Sequence, residues 1–296
     1  MFIRYFLPYV DIDTICAANK TIDCYFYTEG SWDRIGIIVH LVMIFPACVL
    51  VLLQFTPAVR RRYTKLHRLN GYVIILLSAL SMGGVILTLP NAIGGTLDAQ
   101  VSILALLIAF LLALGLALYN AWYLQIEQHR AWMLRAWFYA GSIVTMRIVV
   151  RLLASLVSDK GYVAPLPCAR ISSIIGPASM GIEYFSDCAP YFRGEDDAKA
   201  MVVLASLSGN GANITATYNV VFGSAIWLGL VLHAVGIEIY LRLTPSETER
   251  LRQISYARQL NAGMKSPGRM GLTADRLGDS PPWMPPEALV VHQEAQ

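Results

Sequence analysis

The chain has 296 residues, 56% of them hydrophobic and 15% charged, with a formal net charge of +3 and a mean hydropathy of +0.52. Soluble domains carry about 25% charged residues, so this composition excludes an ordinary water-soluble fold and specifies an integral membrane protein. The sum of the charges says little, because in a membrane protein their sidedness carries the information.

Residues 1–34 read as an extracytoplasmic segment. The apolar stretch from Met1 to Val10 is short, is interrupted by Arg4 and Pro8, and stops at Asp11 and Asp13, so it makes neither a span nor a signal peptide. Cys16, Cys24 and the sequon Asn19-Lys20-Thr21 lie here. Residues 35–156 hold four predicted spans. The first, Ile35–Phe55, has a mid-span proline, Pro46, and is followed by Arg60, Arg61, Arg62, Lys65 and Arg68, the densest cationic loop in the chain, which the positive-inside rule assigns to the cytosol. Gly71–Leu89 ends at Pro90 and the Gly94-Gly95 turn, Val101–Leu124 is nearly all aliphatic, and Ala136–Leu156 follows a return to the cytosol. Residues 157–217 form an extracytoplasmic loop with Cys168, Cys188 and a second sequon at Asn213, and residues 218–241 are the fifth span. The tail, 242–296, opens with a capping box at Ser246 and Glu249 and a short amphipathic helix, and becomes Pro/Gly-rich and predominantly disordered from Ser266.

The expected fold is therefore all-α: a polytopic transmembrane helix bundle of about five spans, N-terminus outside and C-terminus cytosolic. The basic loop falls inside, and both sequons and four of the five cysteines fall outside, which fits the plasma membrane or an endomembrane. Four outer cysteines allow three pairings; the local pairs Cys16–Cys24 and Cys168–Cys188 are preferred. The cytosolic arginines form a short juxtamembrane patch suited to the lipid bilayer rather than to nucleic acid.

Chemistry must come from few residues. His67, His129 and His233 gather near the cytosolic face, whereas His40 lies about 8 Å from the outer end of its span. Histidine is the usual axial ligand of a b-type haem, so two of the inner three are candidate ligands, although histidines beside arginines at helix ends also cap carbonyls or bind lipid phosphate. Arg147 and Arg151 are four residues apart in the fourth span; an arginine at mid-depth is costly, so Arg147 is expected to face the bundle as an anion-binding residue and Arg151 to snorkel. Glu238, near the inner end of the fifth span, is a candidate proton carrier or a partner for Arg130 or Arg135. Asp11, Asp13, Glu183 and Asp187 read better as solvated loop charge. No P-loop, nucleophile elbow, H-E-x-x-H pair or close metal-ligand spacing occurs.

Two motifs stand out: Leu66-His67-Arg68 followed by Gly71-Tyr72, giving H-R-x-x-G-Y, and His129 to Arg135, giving H-R-x-W-M-x-R, with Arg147 in the helix that follows. Together with His40 they resemble the membrane family catalogued as domain of unknown function 2306, over about residues 32–151. The resemblance implies a multi-span helical protein of unassigned activity and marks His40, His67, Arg68, His129, Arg130, Trp132, Arg135 and Arg147 as candidate functional positions. Three functions are expected in order. The first is a haem b redox or electron-transfer protein, with His67, His129 and His233 as ligands and Arg68 and Arg147 as propionate partners. The second is a cofactor-free cyclase or isomerase acting on a lipophilic small molecule in specialised metabolism, with His129, Glu238 or His40 moving protons. The third is a receptor or scaffold that binds through its disulfide-bearing loop.

Overall fold

A computed structural model describes residue 16 and residues 24–176 and 183–285. Among the described residues five helices are long and apolar enough to cross a membrane: α1 (Trp32–Phe55), α3 (Thr64–Thr88), α4 (Leu97–Trp122), α5 (Ile126–Val157) and α8 (Gly211–Arg242). The chain is an integral, multi-pass, predominantly helical membrane protein. A short helix α2 (Pro57–Arg62) lies in the basic loop. The helices outrun the apolar windows. Sequence marks a span by hydropathy, but once backbone hydrogen bonding is established it continues through polar residues at the bilayer edge. Thus α3 takes in Thr64–Asn70, and α5 takes in the whole basic motif that precedes Ala136. α1 starts at an N-cap, Ser31, whose hydroxyl accepts the Arg34 N–H at 3.1 Å, with Asp33 favourably placed in the first turn.

The chain divides into two compact units. The first comprises Met1–Leu104 and Val150–Ala225. In it α1 and α3 pack through glycine: a Cβ at Gly36 would lie 2.7 Å from the Gly84 carbonyl oxygen, and one at Gly84 would strike the Gly36 carbonyl oxygen and the backbone of His40. Small residues let the two backbones touch, the main way helices associate in lipid.

The loop that follows α5 carries a two-stranded antiparallel sheet, β1 (Val163–Pro167) with β2 (Ala200–Leu204), in a register that pairs Val163 with Leu204 and Pro167 with Ala200. Between the strands run α6 (Cys168–Ile175) and α7 (Ala189–Phe192). Cys168 and Cys188 form a disulfide with Cα atoms 5.6 Å apart, and Cys16 and Cys24 form the other, at 5.7 Å. Both are the local pairings expected. The Cys168–Cys188 bridge is buried among Leu166, Ile171, Phe185 and Val203, with Ala212 and Ala216 of α8 closing that core.

Of the sequons, Asn19 lies outside the described residues. Asn213 is folded into the first turn of α8, where its Nδ2, the nitrogen a glycan would occupy, donates to the Leu204 carbonyl at 2.9 Å. Thr215, the hydroxyl of that sequon, is 2% exposed and donates to Gly211 O.

The second unit comprises Ala105–Val149 and Ile226–Gln296. Here the tail differs from the disorder expected of it. Helix α9 (Pro245–Asn261) buries Leu251, Ser255 and Gln259, a stripe four residues apart that is mainly hydrogen-bonding, so this is not the amphipathic surface helix that Leu251, Ile254 and Leu260 suggested. The Ser255 hydroxyl donates to Glu127 at 2.6 Å and accepts the Ile126 N–H. Gln259 donates to Tyr123 O and to Gln125 Oε1, and its own oxygen accepts the Gly268 N–H at 2.6 Å. Gly268 takes φ +84° after Pro267, the type II turn pattern, and Arg269 N–H closes that turn onto Ser266 O. Downstream, Gly271 N–H reaches Gln125 and Leu272 N–H reaches Asn120.

Asp275, its side chain fully buried, pairs with Arg252 and Arg269, each at 2.9 Å, and accepts the Trp283 N–H. Trp283 packs against Arg252 and Tyr256. Proline and glycine weaken a helix, yet they also make tight turns, and here buried amides hold those turns in place.

Candidate functional site

The histidines of the spans each serve a neighbouring helix. His40 of α1 shares a 2.8 Å hydrogen bond between its Nδ1 and the Ser81 hydroxyl of α3. His129 of α5 donates from Nδ1 to the Ala117 carbonyl of α4 at 2.9 Å, which leaves Nε2 as the nitrogen with a free lone pair. His233 of α8 is held at both nitrogens: Nδ1 donates to Phe138 O at 2.7 Å, and Nε2 accepts from the Thr145 hydroxyl at 2.7 Å. Carbonyls and hydroxyls in a span need partners that lipid cannot supply, and imidazole supplies them. Thr145→Val is expected to cost about 0.6 kcal/mol, the average measured for interhelical hydrogen bonds in membranes, with about 1.7 kcal/mol as the upper bound. Thermal unfolding in detergent measures it, and an unchanged midpoint would show that the contact contributes nothing.

The first motif also has a packing reason. His67 O accepts from Gln54 Nε2 at 3.0 Å, Asn70 Nδ2 donates to Gln54 Oε1 and Leu50 O, and a Cβ at Gly71 would lie 3.1 Å from that Gln54 amide nitrogen. These residues clamp the end of α1 to the start of α3. Arg68 is exposed.

The second motif lies on α5 and faces α8. Arg135 makes a two-pronged ion pair with Glu238, 2.6 and 3.0 Å, and its guanidinium stacks on Trp132 with 4.5 Å to the ring centroid. Of the two arginines considered for Glu238, the structure chooses Arg135. Arg130 packs over the Tyr240 ring and reaches its hydroxyl at 3.4 Å. The Glu238 side chain is 45% exposed, and that of Arg135 is 19% exposed. Around the carboxylate, Val235 and Ile239 are also exposed, and exposed Arg242 lies one turn on within electrostatic range, so this face of α8 presents one fixed acid between apolar side chains and a second cation. Tyr139, one turn beyond Arg135, lies within electrostatic range of both. A carboxylate anchored by a fork of hydrogen bonds keeps its orientation and can still exchange a proton with a molecule dissolved in the bilayer.

Arg147 and Arg151 are exposed on α5, beside Val144, Ile148 and Leu152. Arg147 was expected to turn inward, and it does not; with lipid-facing neighbours, its long side chain has room to extend along the helix. Glu183 and Asp187 are exposed, whereas Asp11 and Asp13 lie outside the described residues.

For haem the fit is partial. His129 has the arrangement of a ligand oriented by a carbonyl. His233 has no nitrogen to offer iron without giving up Phe138 or Thr145, and His67 belongs to the first unit. Among the described residues no group of three His, Cys, Asp or Glu side chains is placed to hold a metal ion.

Sequence reasoning missed the Gln54–Asn70 clamp, the Gln125–Glu127–Gln259 network and the buried Arg170, which lies 5.4 Å over the Phe26 ring and donates to Gly94 O. Isolated amides at the ends of apolar runs were the available signal.

Residues 37–165 match the family described as "Predicted membrane protein (DUF2306)", so this segment is a membrane region of the kind the two histidine–arginine motifs resemble. A curated relative is similar over most of the chain: "Ava biosynthesis cluster protein G" of Aspergillus versicolor is 26% identical over 257 residues, which cover 74% of this chain and 73% of that protein. No solved structure matches.

Proposed function

We infer that the protein is a membrane-embedded, cofactor-free isomerase or cyclase acting on a lipophilic small molecule of specialised metabolism. The observation that carries this reading is the Glu238 carboxylate, locked by Arg135 yet open to the apolar surface of α8. The similarity to a protein named for a biosynthetic cluster supports the metabolic setting.

Glu238 acts as the general base. It removes a proton from an acidic carbon of the substrate and returns it to another, so a double bond moves or a ring closes with no change in composition and no external oxidant or reductant. Arg135 fixes the carboxylate and balances its charge, and the Trp132 face holds the guanidinium flat. A substrate that partitions into the bilayer reaches this site laterally, without a water-filled cleft.

The test is deletion of the gene in its host, followed by complementation. Deletion is expected to abolish a lipophilic product and to accumulate a precursor of identical mass. Wild-type protein restores the product, whereas Glu238→Gln, present in the membrane at the wild-type level, restores at most about one hundredth of it, given the 10²–10⁴-fold contribution usual for a general base. An unchanged metabolite profile on deletion, or full rescue by Glu238→Gln, would overturn the reading. The haem alternative predicts a reduced-minus-oxidised Soret difference in the purified protein that is lost on replacing His129.

A further inference from the structure

The hairpin of β1 and β2 has two unlike faces. Ala164, Leu166 and Val203 point into the core around the Cys168–Cys188 disulfide. The opposite face is open and apolar: Val163 is 51% exposed, Val202 61% and Leu204 44%. Val163 and Leu204 are cross-strand partners, and Tyr162 beside them is also exposed. A contiguous apolar patch on an extramembrane element marks an interaction surface.

The position of the patch along the hairpin identifies what covers it. Its apolar end is tied to the helix ends that emerge from the bilayer. Leu204 O accepts from Asn213 Nδ2 in the first turn of α8, and Ser206 N–H donates to Asn213 O. Asp159 N–H donates to Ala205 O, and Ala205 N–H to Tyr162 O, two and five residues past the last residue of α5. The far end is different in kind: Lys199 precedes Ala200, and Arg193, Glu195 and Asp196 crowd the connection, all exposed but for the half-buried lysine. The exposed apolar side chains of the strands thus accumulate at the membrane end, and the distal end carries a cluster of exposed charges. The polar groups at the membrane end, Ser158, Asp159, Lys160 and Ser208, suit the headgroup layer, and Tyr162 has the interfacial preference of its type.

We propose that Tyr162, Val163, Val202 and Leu204 seat the open face of this hairpin in the headgroup–acyl boundary of the leaflet bordering the disulfide-bearing loop. The partner is the lipid surface itself, continuous with the lipid around α5 and α8. The loop is then a monotopic element that lies on the bilayer rather than a domain projecting into water, and its exposed apolar strands need no second protein.

The test places a nitroxide at single sites in the full chain, reconstituted in phosphatidylcholine nanodiscs. Cys48→Ala removes the free thiol, and the labels sit at Val163→Cys, Val202→Cys and Leu204→Cys, with Asp196→Cys as the reference; mass mapping verifies the Cys168–Cys188 bridge in each. The expected result is an oxygen-to-nickel-chelate accessibility ratio several-fold higher at 163, 202 and 204 than at 196, the signature of lipid contact. Equal, water-like ratios at all four positions would overturn the proposal. So would low accessibility to both reagents at 202 and 204, which would mean that protein, a second copy included, covers the face.

Discussion

Replacing Asp275 by alanine is expected to destabilise the docked tail by about 3–5 kcal/mol, the range for removing one member of a buried ion pair. The carboxylate is fully buried, holds Arg252 and Arg269 and accepts the Trp283 N–H, so its loss strands two cations and a backbone donor together. Because the Arg269 side chain keeps 37% of its surface exposed and is partly hydrated, the effect belongs towards the lower end. The same site gives a pH dependence. Burial alone would raise the Asp275 pKa, but the Thr273 hydroxyl, the Trp283 N–H and the charge of Arg252 outweigh it and hold the carboxyl below its ordinary value. A carboxyl depressed in the folded state contributes stability that is fully present above the unfolded pKa, about 3.9, and is lost as the pH falls through the folded value. Limited proteolysis between Ala262 and Trp283 reads both effects. Cleavage of the alanine variant at neutral pH, and of the parent only in acid, is the expected pattern; equal protection of both would refute it.

Gly84→Val is the second large effect. Helix propensity alone would favour replacing a glycine here, by about 0.5–1 kcal/mol for alanine. The contact at Gly84 is with the backbone of α1, at Gly36 O and His40 N, and backbone cannot move aside as a side chain can. The helices must separate, and the His40–Ser81 hydrogen bond goes with them. Overpacking of this kind costs about 1–3 kcal/mol, with the lost hydrogen bond adding to it. Gly83 is the internal control, since nothing lies within 4 Å of a Cβ built there. Gly83→Ala should unfold at or above the parent temperature and Gly84→Val well below it; coincident melting curves would dismiss the close α1–α3 packing.

The five spans and the two local disulfides were legible because hydropathy over about 20 residues and short cysteine spacings are local properties. The Arg135–Glu238 partnership was half legible: the charges were conspicuous in an apolar context, but choosing between Arg130 and Arg135 needs the relative rotation of α5 and α8. The roles of the histidines were not legible. At His233 the sequence shows a side chain and not the Phe138 carbonyl and Thr145 hydroxyl that engage its two nitrogens. The tail was misjudged for a related reason. Composition scores Pro267, Gly268 and Pro281 as breakers of structure, whereas their turns are fixed by Gln259 and Gln125 from far along the chain. Arg147 was assigned by an energetic rule for a rigid charge at mid-depth, and a flexible side chain on an exposed helix face escapes that rule.

The amide network beneath α5 also imposes an order on biogenesis. Ser255 reaches Ile126 across 129 positions, Gly268 reaches Gln125 across 143, and Leu272 reaches Asn120 across 152. Asn120, Gln125 and Glu127 therefore leave the ribosome long before the groups that satisfy them exist, and must wait, hydrated, at the membrane edge. Any chain that stops short of Leu272 presents those polar groups unmatched. The closing turns thus mark synthesis past Leu272, a feature by which a membrane quality-control system can tell such chains from shorter ones.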